Sequence, residues 1–183
     1  MYQYNNTPTI ACVIEPASEP LTLAETKTYL KITNSGDDAL ITSLITTVRK
    51  AAENFLRSSL ITQSWKLSYD KYAPSYVPLP MGPVQSVTSV IAIARDTTIS
   101  NVSASSYYLS SGNRRIIFDA SPIGKRIEIV YVAGYGDSGA NIPSPLKYGM
   151  LGHLAAVYDG RAGGQNLPKQ SLDFYLPYRG IEI

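Results

Sequence analysis

Residues 19–69 read EPLTLAETKTYLKITNSGDDALITSLITTVRKAAENFLRSSLITQSWKLSY, two helical patterns running straight into a strand pattern. Thr22 and Glu25 stand at capping-box spacing, which satisfies free backbone N–H groups at a helix start. This first helix is short and ends near Ile32–Gly36. Asp37 or Asp38 opens a second helix, where an acidic N-cap suits the macrodipole. Leu40, Ile41, Leu44, Ile45, Val48, Ala52, Phe55 and Leu56 form its apolar stripe, with Thr42, Thr46, Arg49, Lys50 and Glu53 on the other face. Ile61, Trp65, Leu67 and Tyr69 then open a β-rich stretch.

Downstream, residues 62–69, 84–93, 107–109, 115–118 and 126–132 read as strands, and Ile127, Ile129 and Tyr131 share one face of the last. Turn signals at Ala73-Pro74, Leu79-Pro80, Gly82-Pro83, Ser111-Gly112-Asn113 and Ser121-Pro122 separate them. Five or so strands at this spacing predict a small antiparallel sandwich or open barrel. Helix returns after Pro143 and Pro145, with Leu146, Met150, His153, Leu154 and Val157 on one face, and ends at Gly160 or Gly163-Gly164. A last helical turn spans about Ser171–Leu176 and stops at Pro177.

The fold class is therefore α+β, a helical base with an inserted antiparallel β-sandwich or barrel-like lobe. Residues 1–18 lack periodicity and read as a flexible arm. Residues 19–60 with 134–176 form the base, 61–133 the lobe, and 177–183 a docking tail. The structural core is expected at Leu44, Val48, Phe55, Trp65, Ile129 and Leu154.

Composition excludes several function classes. The 183 residues carry a net charge of +2, and the basic residues are scattered rather than gathered on one face, against a duplex-gripping domain. One cysteine, Cys12, excludes an intrachain disulfide and a cysteine zinc cluster. The N-terminus YQYNNTPTI has no basic flank or apolar core of a signal peptide, and no apolar run reaches membrane-span length. Tyrosine outnumbers phenylalanine 14 to 3, a bias suited to partly wet interfaces.

Several motifs suggest chemistry and then fail. Gly136-Asp137-Ser138-Gly139 matches the string around a serine-protease nucleophile, but the one histidine, His153, follows the serine and sits on an apolar helix face. Gly134-x-Gly136-x-x-Gly139 follows a strand like a dinucleotide fingerprint, yet Ile142-Pro143-Ser144-Pro145 delays the helix that would meet the pyrophosphate. That run reads instead as a flexible link. Asp37-Asp38 lacks further metal ligands nearby, and Trp65 is expected in a core rather than stacked on nucleic acid. No catalytic residue, metal or cofactor is expected.

Taken in order, EPLTLAETKTYL, DDALITSLITTVRKAAENFL, LITQSWKL, LPMGPVQSVTSV, IEIVYVAGYGD, the helix after IPSPLK and the closing LPYRGIEI resemble the head–tail connector (adaptor) proteins of long-tailed phages and of gene transfer agents. The resemblance implies a non-enzymatic virion protein at the head–tail junction, present in the host cytoplasm during assembly. It implies a twelve-fold ring on the portal protein, carrying DNA through its channel without sequence-specific binding, and a platform for a stopper or tail-terminator protein. It implies no membrane partner. Ile181 and Ile183 fall on one side of an extended end, which reads as docked either on its own subunit or on a neighbouring protein; the resemblance favours the portal and assigns Tyr178, Arg179, Ile181 and Ile183 to it. The rival class is a β-sandwich binding module for a protein or carbohydrate ligand.

Overall fold

The second helix sets the helical part of the molecule. The computed structural model describes residues 7–70, 75–120, 126–160 and 167–179. Its helices are α1 (Leu23–Leu30), α2 (Asp38–Leu56), α3 (Ser144–Tyr158) and α4 (Lys169–Tyr175). Its strands are β1 (Thr9–Ile14), β2 (Gln63–Tyr69), β3 (Tyr76–Pro78), β4 (Val84–Ile93), β5 (Ile99–Asn101), β6 (Tyr107–Leu109), β7 (Arg115–Phe118) and β8 (Arg126–Ala133). The chain is α+β and divides into two units, one joining the N-terminal strand to Gln63–Gly134 and the other joining Pro16–Thr62 to the chain from Tyr135 onward.

In the helical unit, Thr22 Oγ1 accepts the Glu25 N–H at 3.1 Å, as its spacing predicts. Glu25 does not reach back to complete a capping box; its carboxylate accepts from Lys147 Nζ at 2.9 Å. Both α1 and α2 close on a left-handed residue, Lys31 (φ 58°) and Arg57 (φ 54°), where glycine is the usual choice. Ile41, Ile45, Val48, Ala52 and Leu56 of α2 meet Leu146, Met150, Leu151 and Leu154 of α3 in one core with Leu21, Leu60, Ile61 and Tyr175. Leu44 and Phe55 are half-buried at its margin, and Leu40 is exposed. Removing this much apolar surface from water is the main force holding four short elements together.

In the β unit, the five-stranded sheet runs β1-β2-β8-β4-β5 and the three-stranded sheet β3-β7-β6, all pairs antiparallel. Leu67 of β2 and Val90 of β4 both stand opposite Ile129 of the central β8, and Val77, Ile116 and Phe118 of the smaller sheet join them in one core. Tyr131, fully buried, donates its hydroxyl to the Pro80 carbonyl at 2.5 Å, and burial pushes its pKa up. The Ser110–Arg115 hairpin turns through Gly112 (φ 79°) and Asn113 (φ 53°), the φ > 0 geometry that its Ser-Gly-Asn sequence favours.

Four expectations are corrected. Thr9–Ile14, expected in a flexible arm, is an edge strand paired with β2, so the β unit draws on two stretches of chain rather than on 61–133 alone. The strand count among the described residues is eight, because β1, β3 and β5 carry no alternation long enough to notice. Arg49 and Glu53, placed on the polar face of α2, are 3% and 4% exposed. Pro177 does not stop the last helix but sits inside a 3-10 turn, Leu176–Tyr178, that continues α4.

Candidate docking site at the C-terminal helix

The four expected docking residues follow α4, so the seat of that helix decides where their root stands. Its register is written into α3. Gly149, Gly152 and His153 are spaced i, i+3, i+4 and share a face. A Cβ on Gly149 would lie 2.7 Å from Tyr175 Cε1, and one on Gly152 would lie 3.6 Å from Ser171 Oγ. The glycines thus let α4 settle against the backbone of α3, with Tyr175 fully buried over Gly149. An edge-to-face chain runs from Tyr29 to Tyr148 (centroids 5.9 Å apart, 87°) and on to Phe174 of α4 (5.2 Å, 72°). Tyr148 in its middle is 47% exposed.

The turn after α4 is tied to α2. Arg179 is exposed, but its guanidinium carbon stands 4.9 Å from the Phe55 ring centroid, and Phe55 in turn meets Tyr175 at 6.1 Å. Tyr178 is half-buried against the helical core and close enough to raise the pKa of Tyr135, behind the larger effect of burial. The two described members of the expected docking set therefore lie on their own subunit. Ile181 and Ile183 lie outside the described residues.

Three polar atoms in this seat have no hydrogen-bond partner among the described residues: His153 Nδ1, Ser171 Oγ and Tyr175 OH. All three residues are more than nine-tenths buried. Burial pushes the His153 pKa down and the Tyr175 pKa up, each toward its neutral form.

The remaining core residues fall as follows. Val48, Ile129 and Leu154 are fully buried, whereas Trp65 is half-buried beside the β core. Its cross-strand partners are Cys12 of β1, itself only partly covered, and the fully buried Tyr131 of β8.

The motifs that suggest chemistry have structural roles. Ser138 Oγ and N–H both donate to Asn141 Oδ1, at 3.1 and 3.3 Å, holding the 3-10 turn Gly139–Asn141. The glycines around it are demanded by geometry. Gly136 has φ 151° and would put a Cβ 2.5 Å from Asn141, while a Cβ on Gly139 would lie 2.2 Å from the Pro20 carbonyl oxygen. Within the helical unit, Thr62 N–H donates to Gly136 O at 3.0 Å and Tyr135 N–H to Leu60 O at 3.3 Å. Asp37 accepts the Tyr158 hydroxyl at 2.5 Å and Asp38 pairs with Lys27 Nζ, so the adjacent carboxylates serve different partners. No cluster of three or more metal-ligating side chains occurs among the described residues, and no described helix is long and apolar enough to cross a membrane.

Sequence reasoning passed over one buried ionic group. Arg49 Nε donates to Glu19 Oε2 at 2.8 Å and Nη1 to Glu53 Oε2 at 3.0 Å, while Glu53 Oε1 accepts the Leu60 N–H at 2.8 Å. Thr46 Oγ1 adds a bond to Glu19 Oε1 at 2.8 Å. The network pins the approach to α1 and the exit from α2 onto one helix.

Comparison with known proteins adds family and fold. A family model described as head completion protein matches residues 19–151. A chain of a structure described as the neck of an empty GTA particle, computed with C6 symmetry, superposes with TM-score 0.80 at 22% identity, covering 96% of this chain and 97% of that one. A chain from the virion of a native gene transfer agent (GTA) particle gives 0.76 at 23% identity, with 96% and 97% covered. A chain from the neck of a native GTA particle, computed with C12 symmetry, gives 0.71 at 22% identity over the same shares. No curated protein matches the chain in sequence.

Proposed function

The chain belongs to the head completion protein family, and on that premise we propose that it is a structural, non-enzymatic subunit of the particle neck at the head–tail junction. The observation that carries this reading is the likeness of fold from end to end to chains of gene transfer agent particles, at 96% and 97% coverage, by a chain whose family model spans 19–151. In this reading the subunits form a ring on the portal, with one face of each copy against a different face of the next. Twelve copies match the C12 symmetry of one similar neck. The ring extends the DNA channel and offers a platform to the next neck or tail protein. A chain with a net charge of +2 suits a channel through which DNA must slide.

The C-terminal tail supplies the portal contact, with Tyr178 and Arg179 at its root and Ile181 and Ile183 inserting by alternate side chains. The family match starts in the helical part and runs through the β-rich part, which favours a neck subunit over a free-standing binding module.

Electron microscopy of the purified protein mixed with portal-bearing heads tests the reading. A ring of density on the portal vertex, present only with the protein, is expected. Heads that remain bare at saturating protein would overturn it.

A further inference from the structure

The seat of α4 on α3 combines features that pull in opposite directions. Tyr175, Phe174 and the two glycine contacts hold the helix down. Against this, Ser171 Oγ and Tyr175 OH on α4 and His153 Nδ1 on α3 are buried without partners among the described residues. Each such group costs about 1–3 kcal/mol relative to its hydrated state. Lifting α4 restores water to all three. The helix has seven residues and starts at Pro168 with no side-chain cap, too short to hold itself by backbone bonds alone. Its final turn is held by two side chains, Tyr178 half-buried against the helical core and exposed Arg179 stacked on Phe55.

We propose that α4 and its 3-10 turn are a clasp, docked on α3 in the free subunit and lifted when the subunit joins the portal. This rests on the reading that the C-terminal tail binds the portal, and says how that tail is released. The docked clasp keeps Tyr178 and Arg179 on their own subunit. Portal binding supplies the differential contacts that move a two-state element from one position to the other. The same movement uncovers the small-residue face of α3 and the far side of Tyr148, an apolar surface available only after release.

A disulfide lock tests the clasp. A Cβ at position 152 lies 3.6 Å from Ser171 Oγ, close to disulfide reach, so Gly152→Cys with Ser171→Cys in a Cys12→Ser background should close under oxidant. The oxidised variant is expected to join portal-bearing heads at least about tenfold more weakly than the same sample after reductant, roughly a 1.4 kcal/mol effect. Equal attachment of oxidised and reduced samples would overturn the clasp.

A second measurement needs no lock. Ser171→Ala with Tyr175→Phe removes two stranded hydroxyls while keeping shape, and should raise the melting temperature and slow attachment. A lower melting temperature would show those hydroxyls to be partnered and remove the argument. Hydrogen exchange should show the amides of 169–179 losing protection on heads, and unchanged protection there would also overturn the clasp. A chain ending at Arg179 separates the two ideas. If it attaches normally, the tail's portal role fails; if it does not attach while the oxidised lock does, only the clasp fails.

Discussion

Arg49 Nη1 donates to Glu53 Oε2 at 3.0 Å, one turn along α2, with only 4% and 6% of the two side chains exposed. The pair is held from both ends, Arg49 by Glu19 and Glu53 by the Leu60 N–H. Burial alone would lower the Arg49 pKa, and the surrounding carboxylates more than offset it. Glu53→Ala strands the Leu60 N–H and removes half the charge compensation. Breaking one partner of a buried pair costs about 3–5 kcal/mol, and Glu19 keeps this case near the lower figure. Glu53→Gln retains an acceptor for Leu60 and should cost less than Glu53→Ala. Urea unfolding of the two variants checks the order.

The two cores predict a second ordering. Ile129 is fully buried at the centre of the β core, whereas Trp65 is half-buried at its edge. Ile129→Ala should cost about 3–4 kcal/mol, within the usual range for a buried aliphatic. Trp65→Ala should cost about 2 kcal/mol, since only part of the indole's apolar area leaves water. Thermal melts with Trp65→Ala the more damaging of the two would mean that the indole contributes more to the β core than its half-burial implies.

Which parts of this were legible in the sequence follows from how long each pattern runs. The α2 stripe, the Thr22 cap, the strand at 126–132 and the Ser-Gly-Asn turn repeat a signal over enough residues to stand out. TIACVI of β1 is a short apolar run without alternation, YVP of β3 contains a proline, and ISN of β5 is three residues long. Their strand character comes from partners distant in sequence. Within β4, register shifts between Val84 and Ser86 and between Val87 and Ser89 break the period of two that sequence reading relies on. Arg49 and Glu53 look like an ordinary solvent-facing i,i+4 pair, because burial there depends on Glu19, thirty residues upstream. The seat of α4 was hidden for the same reason, since Gly149 and Gly152 mean nothing until Tyr175 and Ser171 are laid over them.

Around Ser138 the backbone matters more than the hydroxyl. Gly139→Ala drives a Cβ into the Pro20 carbonyl at 2.2 Å, a backbone atom that cannot swing aside. A loss of about 2–3 kcal/mol is expected, as for other overpacked sites. Ser138→Ala loses one exposed bond to Asn141 and should cost no more than about 1 kcal/mol. Ester and peptide hydrolysis assays on the wild type should be blank, and any turnover abolished by Ser138→Ala would reopen the nucleophile reading.

His153 gives a pH dependence with a defined sign. Burial lowers its pKa below the usual 6.5. Above pH 6.5 the imidazole is neutral in both folded and unfolded chains, and the group adds no slope. As pH falls from 6.5 toward the folded value, the unfolded chain takes up the proton first, so stability declines through that window. His153→Leu should flatten this part of the profile. Melting temperatures of both proteins measured across the window decide the matter, and parallel profiles would assign the slope to other groups.

The root and the end of the C-terminal tail should separate in experiment. Tyr178 packs on the helical core and Arg179 stacks on Phe55, so these two residues contribute to the subunit's own stability. Arg179→Ala should cost about 0.5–1 kcal/mol, the scale of an exposed cation–π contact. Deleting Tyr178–Ile183 removes both contacts and should lower the melting temperature measurably, whereas ending the chain at Arg179 keeps them. That shorter deletion takes away only Gly180–Ile183, with its two isoleucines. If those residues serve the portal, the chain ending at Arg179 melts like the full protein yet fails to join portal-bearing heads. If they dock on their own subunit instead, the same deletion lowers the melting temperature and attachment declines only in step with folding. Measuring melting and attachment on the one variant therefore assigns the last four residues to a partner or to the fold.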